Sequence, residues 1–425
     1  MKTVIMAGGK GTRIASVNAE VPKPMIPILG KPILEHQLEC LHRQGYDDII
    51  LVIGHLGHVI RDYFGDGSGI SPATGDPFGV RIHYITEDTP LGTAGALHYL
   101  KDQITEDFLL LCGDVIFDVD LSRFYAFHKA HQGIATLFTH PNSHPYDSGI
   151  IMADDDFRIT RWLHKEDDRL WYRNRVNAGL HFLSPRIFEH PLLQIPQKVD
   201  LDRQILKPLI ANGGLYAYDS PEYVKDMGTP DRFYAVTEDI RSGKVRQKNL
   251  DKLQKCVFLD RDGTINEYVG FLTDIDQLQL LPGAAEAIRR INESGYLAII
   301  VTNQPVIARG EVTPAQLQEI HNKLETLLGR EGAYVDAIYY CSHHPHKGYA
   351  GEIPELKIDC NCRKPKPGML LQAANDFHID LSASYMVGDR ESDALAGQAA
   401  GCIPVLVGQT GNYDSLLSFV QACLS

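Results

Sequence analysis

The chain has 425 residues, 44 % of them hydrophobic, and a formal net charge of −13. That length allows two or three domains with a buried core in each, and the acidic balance argues against a nucleic-acid partner, because phosphate backbones call for basic surfaces. No apolar run approaches membrane-spanning length, Met1-Lys2 leads straight into a strand, and eight cysteines are too few for a disulfide scaffold, so a cytoplasmic enzyme with no membrane segment or secretory leader is expected.

From the start, Lys2–Ala7 reads as a strand running into Gly8, Gly9, Lys10, Gly11, Thr12 and Arg13. Glycines there let backbone N–H groups close on a phosphate chain, and Lys10 and Arg13 add charge. The loop is neither a P-loop nor the G-x-G-x-x-G dinucleotide fingerprint. In Val21–Pro32, Lys23 stands between two prolines, which limit backbone freedom around it. A lysine fixed that way suits neutralisation of a transferring phosphoryl group. Strands are expected at Ile49–Gly54, Ile82–Thr86 and Phe108–Gly113. The glycine-rich Pro90–Leu97 lies between them, and Asp114 stands at a strand end.

The combination of G-G-x-G-T-R with P-K-P-M-x-P resembles the sugar-1-phosphate nucleotidyltransferases, the mannose-1-phosphate guanylyltransferase-like branch in particular, over residues 1–235. The resemblance implies that Gly8, Gly9, Gly11, Thr12, Arg13 and Lys23 bind the nucleotide, with Gly92 and Thr93 at the base. It makes Arg13 and Lys23 the groups that stabilise departing pyrophosphate. Asp114 and Asp226 would share one Mg²⁺ across the α-phosphate. Lys165 would contact the sugar phosphate, and Asn177 and Gly179 the sugar hydroxyls. GTP as the nucleotide rests on the branch resemblance alone.

Asp231–Gln254 is charged and has little apolar periodicity, so it reads as the end of one domain followed by a solvated helix or connector. The expected division is 1–235, a linker over 236–254, and a second domain over 255–425.

The second domain opens on Cys256–Asn266, CVFLDRDGTIN. Four apolar residues form a buried strand, and Asp260 and Asp262 stand at its carboxyl end, where parallel α/β sheets place their ligands. Two carboxylates on one turn suit a nucleophile and an acid/base, with Mg²⁺ relieving their repulsion. Strands at Tyr296–Thr302, Ala337–Cys341, Tyr385–Gly388 and Ile403–Gly408 alternate with helices at Ala284–Glu293, Pro314–Leu328 and Met369–Phe377. That alternation predicts a parallel sheet flanked by helices. Thr302 and Asn303 end one strand, Lys364 follows in CRKPKPG with Lys366 as its rival, and Asp389 ends another strand. Cys341-x-His343 and Cys360-x-Cys362 supply four ligands with no open position, the pattern of structural Zn²⁺, and His344 and His346 compete for the histidine role. Zinc would close the loop over 347–356 above the active site and set Arg363 beside the substrate.

Asp-x-Asp, Thr, Lys and Asp in this order resemble the haloacid-dehalogenase-like phosphatases. By that resemblance Asp260 attacks phosphorus, Asp262 protonates the leaving oxygen and then activates water, and Thr302 and Lys364 bind phosphoryl oxygens. Mg²⁺ is held by Asp260, the backbone carbonyl of Asp262, and Asp389. DRDGTIN, TNQ, C-x-H-H-P, C-x-CRKPxPGM and YMVGD together resemble the D-glycero-D-manno-heptose 1,7-bisphosphate phosphatases over residues 255–410, with histidinol-phosphate phosphatases sharing the zinc loop. Asn303, Gln304, Arg363 and Arg390 then become sugar-phosphate contacts, the two arginines being suited to grip the phosphate that is kept. Pro305 and Val306 depart from that family's Ser-Gly and put substrate preference in doubt.

The expected protein is thus two Rossmann-like three-layer α/β domains acting in sequence on a phosphorylated heptose and GTP, with Mg²⁺ and structural Zn²⁺. The sequence leaves a homo-oligomer open. Rival expectations are a mannose-1-phosphate guanylyltransferase joined to another phosphatase, a degenerate transferase that senses sugar nucleotide, and a DNA-end phosphatase. Intact Arg13, Lys23, Asp114 and Asp226 count against degeneracy, and the acidic balance against DNA.

Overall fold

The computed structural model describes residues 1–9, 21–409 and 411–424. Gly11, Thr12 and Arg13 of the glycine-rich loop lie outside the described residues. The chain forms two compact units: Met1–Thr139 with Ile151–Trp162 and Asn177–Asn249, and His140–Ile150 with Leu163–Val176 and Leu250–Ser425. Two stretches of the first half of the sequence therefore group with the second unit, which a linear division does not foresee. Among the described residues no helix is long and apolar enough to cross a membrane.

In the first unit, Lys2–Met6 pairs in parallel with Asp48–Ile53 and with Phe108–Cys112, and Asp48–Ile53 pairs in parallel with Arg81–Thr86. Val176–Leu183 runs antiparallel to Phe108–Cys112. Asp48–Ile53 and Phe108–Cys112 read as nearly unbroken apolar runs because both faces of the sheet are covered there, whereas the edge strand Arg81–Thr86 is largely unburied. Alternate residues enter different cores: Ile5, Leu51 and Leu109 join one cluster, while Val4, Ile50 and Leu110 join another.

The second unit has five strands in the order Ala337–Cys341, Leu297–Asn303, Cys256–Leu259, Tyr385–Gly388, Ile403–Leu406, all parallel. Val257, Leu259, Ile300 and Val387 fill the core on one face, Phe258, Ile299, Val301 and Met386 the core on the other. Ala284–Ser294, Pro314–Arg330 and Gly368–Phe377 are the expected helices, within two residues at each end. Because the strands are parallel, Asp260, Thr302, Cys341 and Asp389 emerge at one edge.

In the segment read as a domain end followed by a solvated helix or connector, the helix is present and one line of it is packed. Pro230–Arg241 is a helix capped by Thr229, whose side chain accepts from Arg232 N–H, and Val236 is fully buried. Val236 packs with Ile26, Ile28, Ile33, Ile116 and Met227, flanked by Phe233 and Ile240. The apolar residues 233, 236 and 240 do follow helical spacing, but the charges among them mask it. Val236→Ala should destabilise the first unit by about 2 kcal/mol, the loss of two buried methyl groups plus a cavity. Urea denaturation should show it, whereas a free connector would leave the midpoint unchanged.

Candidate functional sites

The second unit concentrates charge at its strand ends. Lys364 Nζ lies 2.6 Å from Asp260 Oδ1 and 2.7 Å from Asp393 Oδ1, with all three side chains nearly buried. Lys366 instead pairs with Asp359 on the surface, at 2.6 Å. The Lys364 backbone is held from both sides by Asn303, whose Oδ1 accepts from its N–H and whose Nδ2 donates to its carbonyl, each at 3.0 Å. Burial pushes the Asp260 carboxyl upward, against the pull of Lys364 and with the help of Asp393 and Asp262. Burial also raises Asp389, and the Asp393 charge adds to it. Ligand oxygens of Asp260, Asp389 and Asp393 all fall within 4.8 Å of one another. Asp389 Oδ1 is buried and takes no hydrogen bond. A hard divalent cation fits this oxygen set and the unmet oxygen.

Asp262 is held differently. Its carboxylate accepts from Arg261 NH2 at 2.8 and 3.0 Å, from Asn266 Nδ2 at 2.9 Å and from Gln304 Nε2 at 2.9 Å. Burial alone would raise its pKa, but the Arg261 guanidinium and these hydrogen bonds outweigh burial and hold it below the usual carboxylate range. Arg261 itself is fully buried and also meets His321 Nε2 at 3.2 Å. Gln304 links Asp262 to Thr302, donating to Thr302 Oγ1 at 2.9 Å, which leaves the threonine O–H free to donate. Asn303 and Gln304, expected on the substrate, line the cleft, yet their amides hold protein groups. Arg363 and Arg390 line the same cleft. Arg363 NH1 donates to the His343 carbonyl at 3.3 Å, and the Arg390 guanidinium lies 4.5 Å from the Tyr268 ring centre.

Cys341, His343, Cys360 and Cys362 converge, their ligand atoms all within 4.8 Å. The three sulfurs are 3.1 to 3.5 Å apart, and His343 Nδ1 is 3.3 Å from Cys362 Sγ. Three thiols and one imidazole closed on a point fit a tetrahedral soft-metal site. His344 faces away from it, its Nδ1 at 3.1 Å from the His346 carbonyl.

In the first unit, Lys23 sits in the turn Lys23–Met25 and pairs with Asp114. Tyr223–Asp226 runs antiparallel to Val115–Asp118 with Asp226 opposite Val115, and Met227 N–H donates to the Asp114 carbonyl at 3.0 Å. That pairing brings together two aspartates far apart in sequence. Asp226 meets Arg232 NH1 at 2.7 and 2.9 Å. Burial opposes its ionisation, but Arg232 and the Gly228 N–H outweigh burial and lower its pKa. Charges of Asp114, Asp202, Lys23 and Asp226 all act on the buried Cys112 thiol, which lies 3.2 Å from where a Cβ on Gly179 would stand. Gly92 and Thr93 are tied to the segment 199–201: a Cβ on Gly92 would meet the Val199 carbonyl at 2.4 Å, and Thr93 Oγ1 accepts from Leu201 N–H at 2.7 Å. Gly9 has open space around it, while a Cβ on Gly8 would meet Glu87 Oε2 at 2.7 Å. Lys165 is exposed, in a segment that groups with the second unit.

Sequence reading missed Asp393, Arg261, Asp202 and Glu87. Asp393 had a signal, since GDRESD sets it four residues from Asp389 in the first turn of a helix, Glu391–Ala400.

A lysine, a threonine and clustered carboxylates at parallel strand ends, on one chain with a second α/β unit that has its own lysine and aspartates, define an enzyme of phosphoryl chemistry. The chain belongs to the nucleotidyl transferase family, which matches residues 2–243, and the HAD-hydrolase-like family matches residues 361–417. Its later part is 43 % identical over 160 residues to the D-glycero-beta-D-manno-heptose-1,7-bisphosphate 7-phosphatase of Pasteurella multocida (strain Pm70), covering 37 % of this chain and 84 % of that protein. That part belongs to this phosphatase family. Among solved structures, HddC from Yersinia pseudotuberculosis is 27 % identical and covers 56 % of this chain and 99 % of its own, with a TM-score of 0.47. The D,D-heptose 1,7-bisphosphate phosphatase from B. bronchiseptica, complexed with magnesium and phosphate, is 33 % identical over 40 % of this chain and 98 % of its own, with a TM-score of 0.36.

Asp393→Asn keeps the shape of the side chain but withdraws a charge from both Lys364 and the carboxylate cluster. Phosphate release should fall about 10- to 100-fold, the usual loss when a group supporting a metal site is removed. The Mg²⁺ concentration for half-maximal rate should rise with it. An unchanged Mg²⁺ titration would remove Asp393 from the site.

Proposed function

We propose that the protein runs two consecutive steps of sugar-nucleotide synthesis in the cytoplasm, with the phosphatase over 255–425 and the transferase over 1–235. The phosphatase removes the 7-phosphate of D-glycero-D-manno-heptose 1,7-bisphosphate. The transferase joins the remaining 1-phosphate to GTP, giving GDP-heptose and pyrophosphate. The observation that carries the reading is the Asp260–Lys364–Asp393 centre, in a part of the chain 43 % identical to a heptose-bisphosphate 7-phosphatase, on one polypeptide with a nucleotidyl transferase.

In the first step Asp260 attacks the 7-phosphorus and the sugar oxygen leaves, so that an aspartyl-phosphate forms. Lys364 and the Thr302 hydroxyl bind phosphoryl oxygens, and the cleft arginines Arg363 and Arg390 hold the phosphate that is kept. Mg²⁺ on Asp260, Asp389, Asp393 and the Asp262 backbone carbonyl would offset the crowded negative charge. Asp262 gives a proton to the leaving oxygen and then takes one from the water that attacks the aspartyl-phosphate, which releases phosphate and restores the Asp260 carboxylate. The ionised state in which Arg261 holds it suits the second of these tasks; for the first it must arrive protonated. Cys341, His343, Cys360 and Cys362 would hold a structural Zn²⁺.

In the second step the 1-phosphate oxygen attacks the α-phosphorus of GTP. Arg13 and Lys23 take the departing pyrophosphate, and Asp114 and Asp226 would hold Mg²⁺. Guanine is favoured by Glu87, half-buried beside Gly8 and accepting from Leu91 N–H at 3.3 Å. A carboxylate accepts two hydrogen bonds side by side from guanine N1–H and its amino group. Adenine offers one donor and a lone pair there.

Incubation of the full chain with the bisphosphate and each nucleoside triphosphate, followed by mass analysis and phosphorus NMR, tests the reading. The 7-phosphate should disappear first, and GTP should be the triphosphate consumed. Prior loss of the 1-phosphate would defeat the two-step order. Asp260→Asn should abolish phosphate release yet still form sugar nucleotide from supplied heptose 1-phosphate. Metal analysis should return one zinc per chain; a fully active preparation without zinc would refute that site.

A further inference from the structure

Asp202 is a carboxylate that the mechanism above does not use. It stands in the helical turn Leu201–Leu206, and the turn is fixed to the nucleotide-side segment through the Leu201 N–H on Thr93 Oγ1 and the bridge between Gly92 and Val199. On its other side is the expected sugar-binding residue: Asn177 Nδ2 donates to Asp202 Oδ1, at the long distance of 3.4 Å.

The Asn177 amide has only one possible orientation. Its Oδ1 faces the Gly179 N–H at 3.2 Å, a donor that cannot reverse, so Nδ2 must be the atom turned to Asp202. His181 Nε2, 3.1 Å from the same oxygen, therefore carries its proton. Burial keeps that ring neutral, lowering its pKa to about 3. One Asn177 hydrogen is engaged by Asp202 and the second is free. Asp202 takes no other side-chain hydrogen bond among the described residues, although burial, with Asp200 beside it, raises its pKa to about 6. A carboxylate withdrawn from water with one long partner calls for donors. Cys112 lies against the Cβ position of Gly179, and Asp114, Asp226 and Lys23 are the other charges acting on its thiol, so Asp202 shares a neighbourhood with the residues proposed above for the phosphates.

We propose that Asp202 is the specificity-determining residue of the transferase, accepting hydrogen bonds from two adjacent hydroxyls of the sugar 1-phosphate while Asn177 donates to one of them. Adjacent hydroxyls present two donors at the spacing of one carboxylate, and each oxygen can also accept. A metal ion at Asp202 fits less well, since its neighbour is an amide N–H, which repels a cation. The proposal rests on the sugar-nucleotide reading and names the group that selects the sugar.

The test uses the full chain, GTP, the sugar 1-phosphate that the wild type prefers from a hexose and heptose panel, and the monodeoxy analogues of that sugar. Asp202→Asn preserves shape and should raise KM for the sugar 1-phosphate about 10- to 100-fold, the range for a lost hydrogen bond to a charged group. KM for GTP should stay within about twofold, the margin of a residue that does not touch the nucleotide. Wild type should penalise one or two monodeoxy analogues, and Asp202→Ala should treat them and the parent sugar alike. Equal rises in both KM values would mark a merely structural residue. A deoxy penalty that persists in Asp202→Ala would overturn the assignment of Asp202 alone. A wild-type chain that turns over no sugar 1-phosphate would overturn the sugar-nucleotide reading as well.

Discussion

Two carboxylates, Asp260 and Asp393, share one buried ammonium at the strand ends of the second unit, a third, Asp389, lies close to them, and the surrounding structure is arranged to keep them together. Asp260, Asp389 and Asp393 repel one another, and Lys364 alone cannot offset them. Crowding of this kind persists only where packing enforces it. Gly263 adopts φ +88°, and a Cβ there would stand 2.4 Å from Asp389 Oδ2. At Gly388 a Cβ would meet Asp393 Oδ2 at 2.2 Å. Both glycines are therefore conditions for the cluster, because they let carboxylates approach the backbone. Asn303 supplies the matching condition for Lys364 by fixing its main chain on both sides.

The strands were legible because each is a short apolar run that ends in chemistry: VFLD, IIVTN and MVGD all announce a buried strand and a polar terminus. The sheet carries Asp260, Thr302 and Asp389 to one edge without further instruction. What could not be read depends on contacts between distant segments. Arg261 looks like a surface residue in a turn, but it is fully buried because Asp262, Gln304 and His321 surround it. Asp202 is distinguished only by Asn177 and the 92–93 segment. The helix Pro230–Arg241 was hidden by composition: its buried side is a narrow line of apolar residues among charges, and Arg232 on it is the partner of Asp226. Lys165 shows the converse, a residue placed by motif order that the described contacts leave exposed.

Asp260 and Asp262, two residues apart and both withdrawn from water, are driven in opposite directions. Asp260 is raised because burial, helped by the Asp393 and Asp262 charges, outweighs the pull of Lys364; Asp262 is lowered because the Arg261 guanidinium and hydrogen bonds from two amides outweigh burial. Separation of paired carboxylates by environment is how one site supports a nucleophile and an acid/base together. The sequence supplied the pair, and the fold supplied the difference through residues that touch only one member of it.

The first unit applies the same contrast to a different end. Asp114 and Asp226 are each met by a cation, Lys23 and Arg232, and the Arg232 guanidinium with the Gly228 N–H outweighs burial and lowers the Asp226 pKa. Asp202 has no such partner in contact, and its nearest polar neighbour is a neutral amide. Burial leaves a carboxylate of that sort little to gain from a hydrated ion and much to gain from neutral donors of fixed geometry. Partner type thus separates these three carboxylates, two paired with cations and one with a neutral amide, which is the contrast on which the proposed assignment of Asp202 to sugar hydroxyls rests. Discrimination between sugars that differ in a single hydroxyl belongs with the latter kind, since an unpaired buried acceptor is the costliest mismatch such a site can impose.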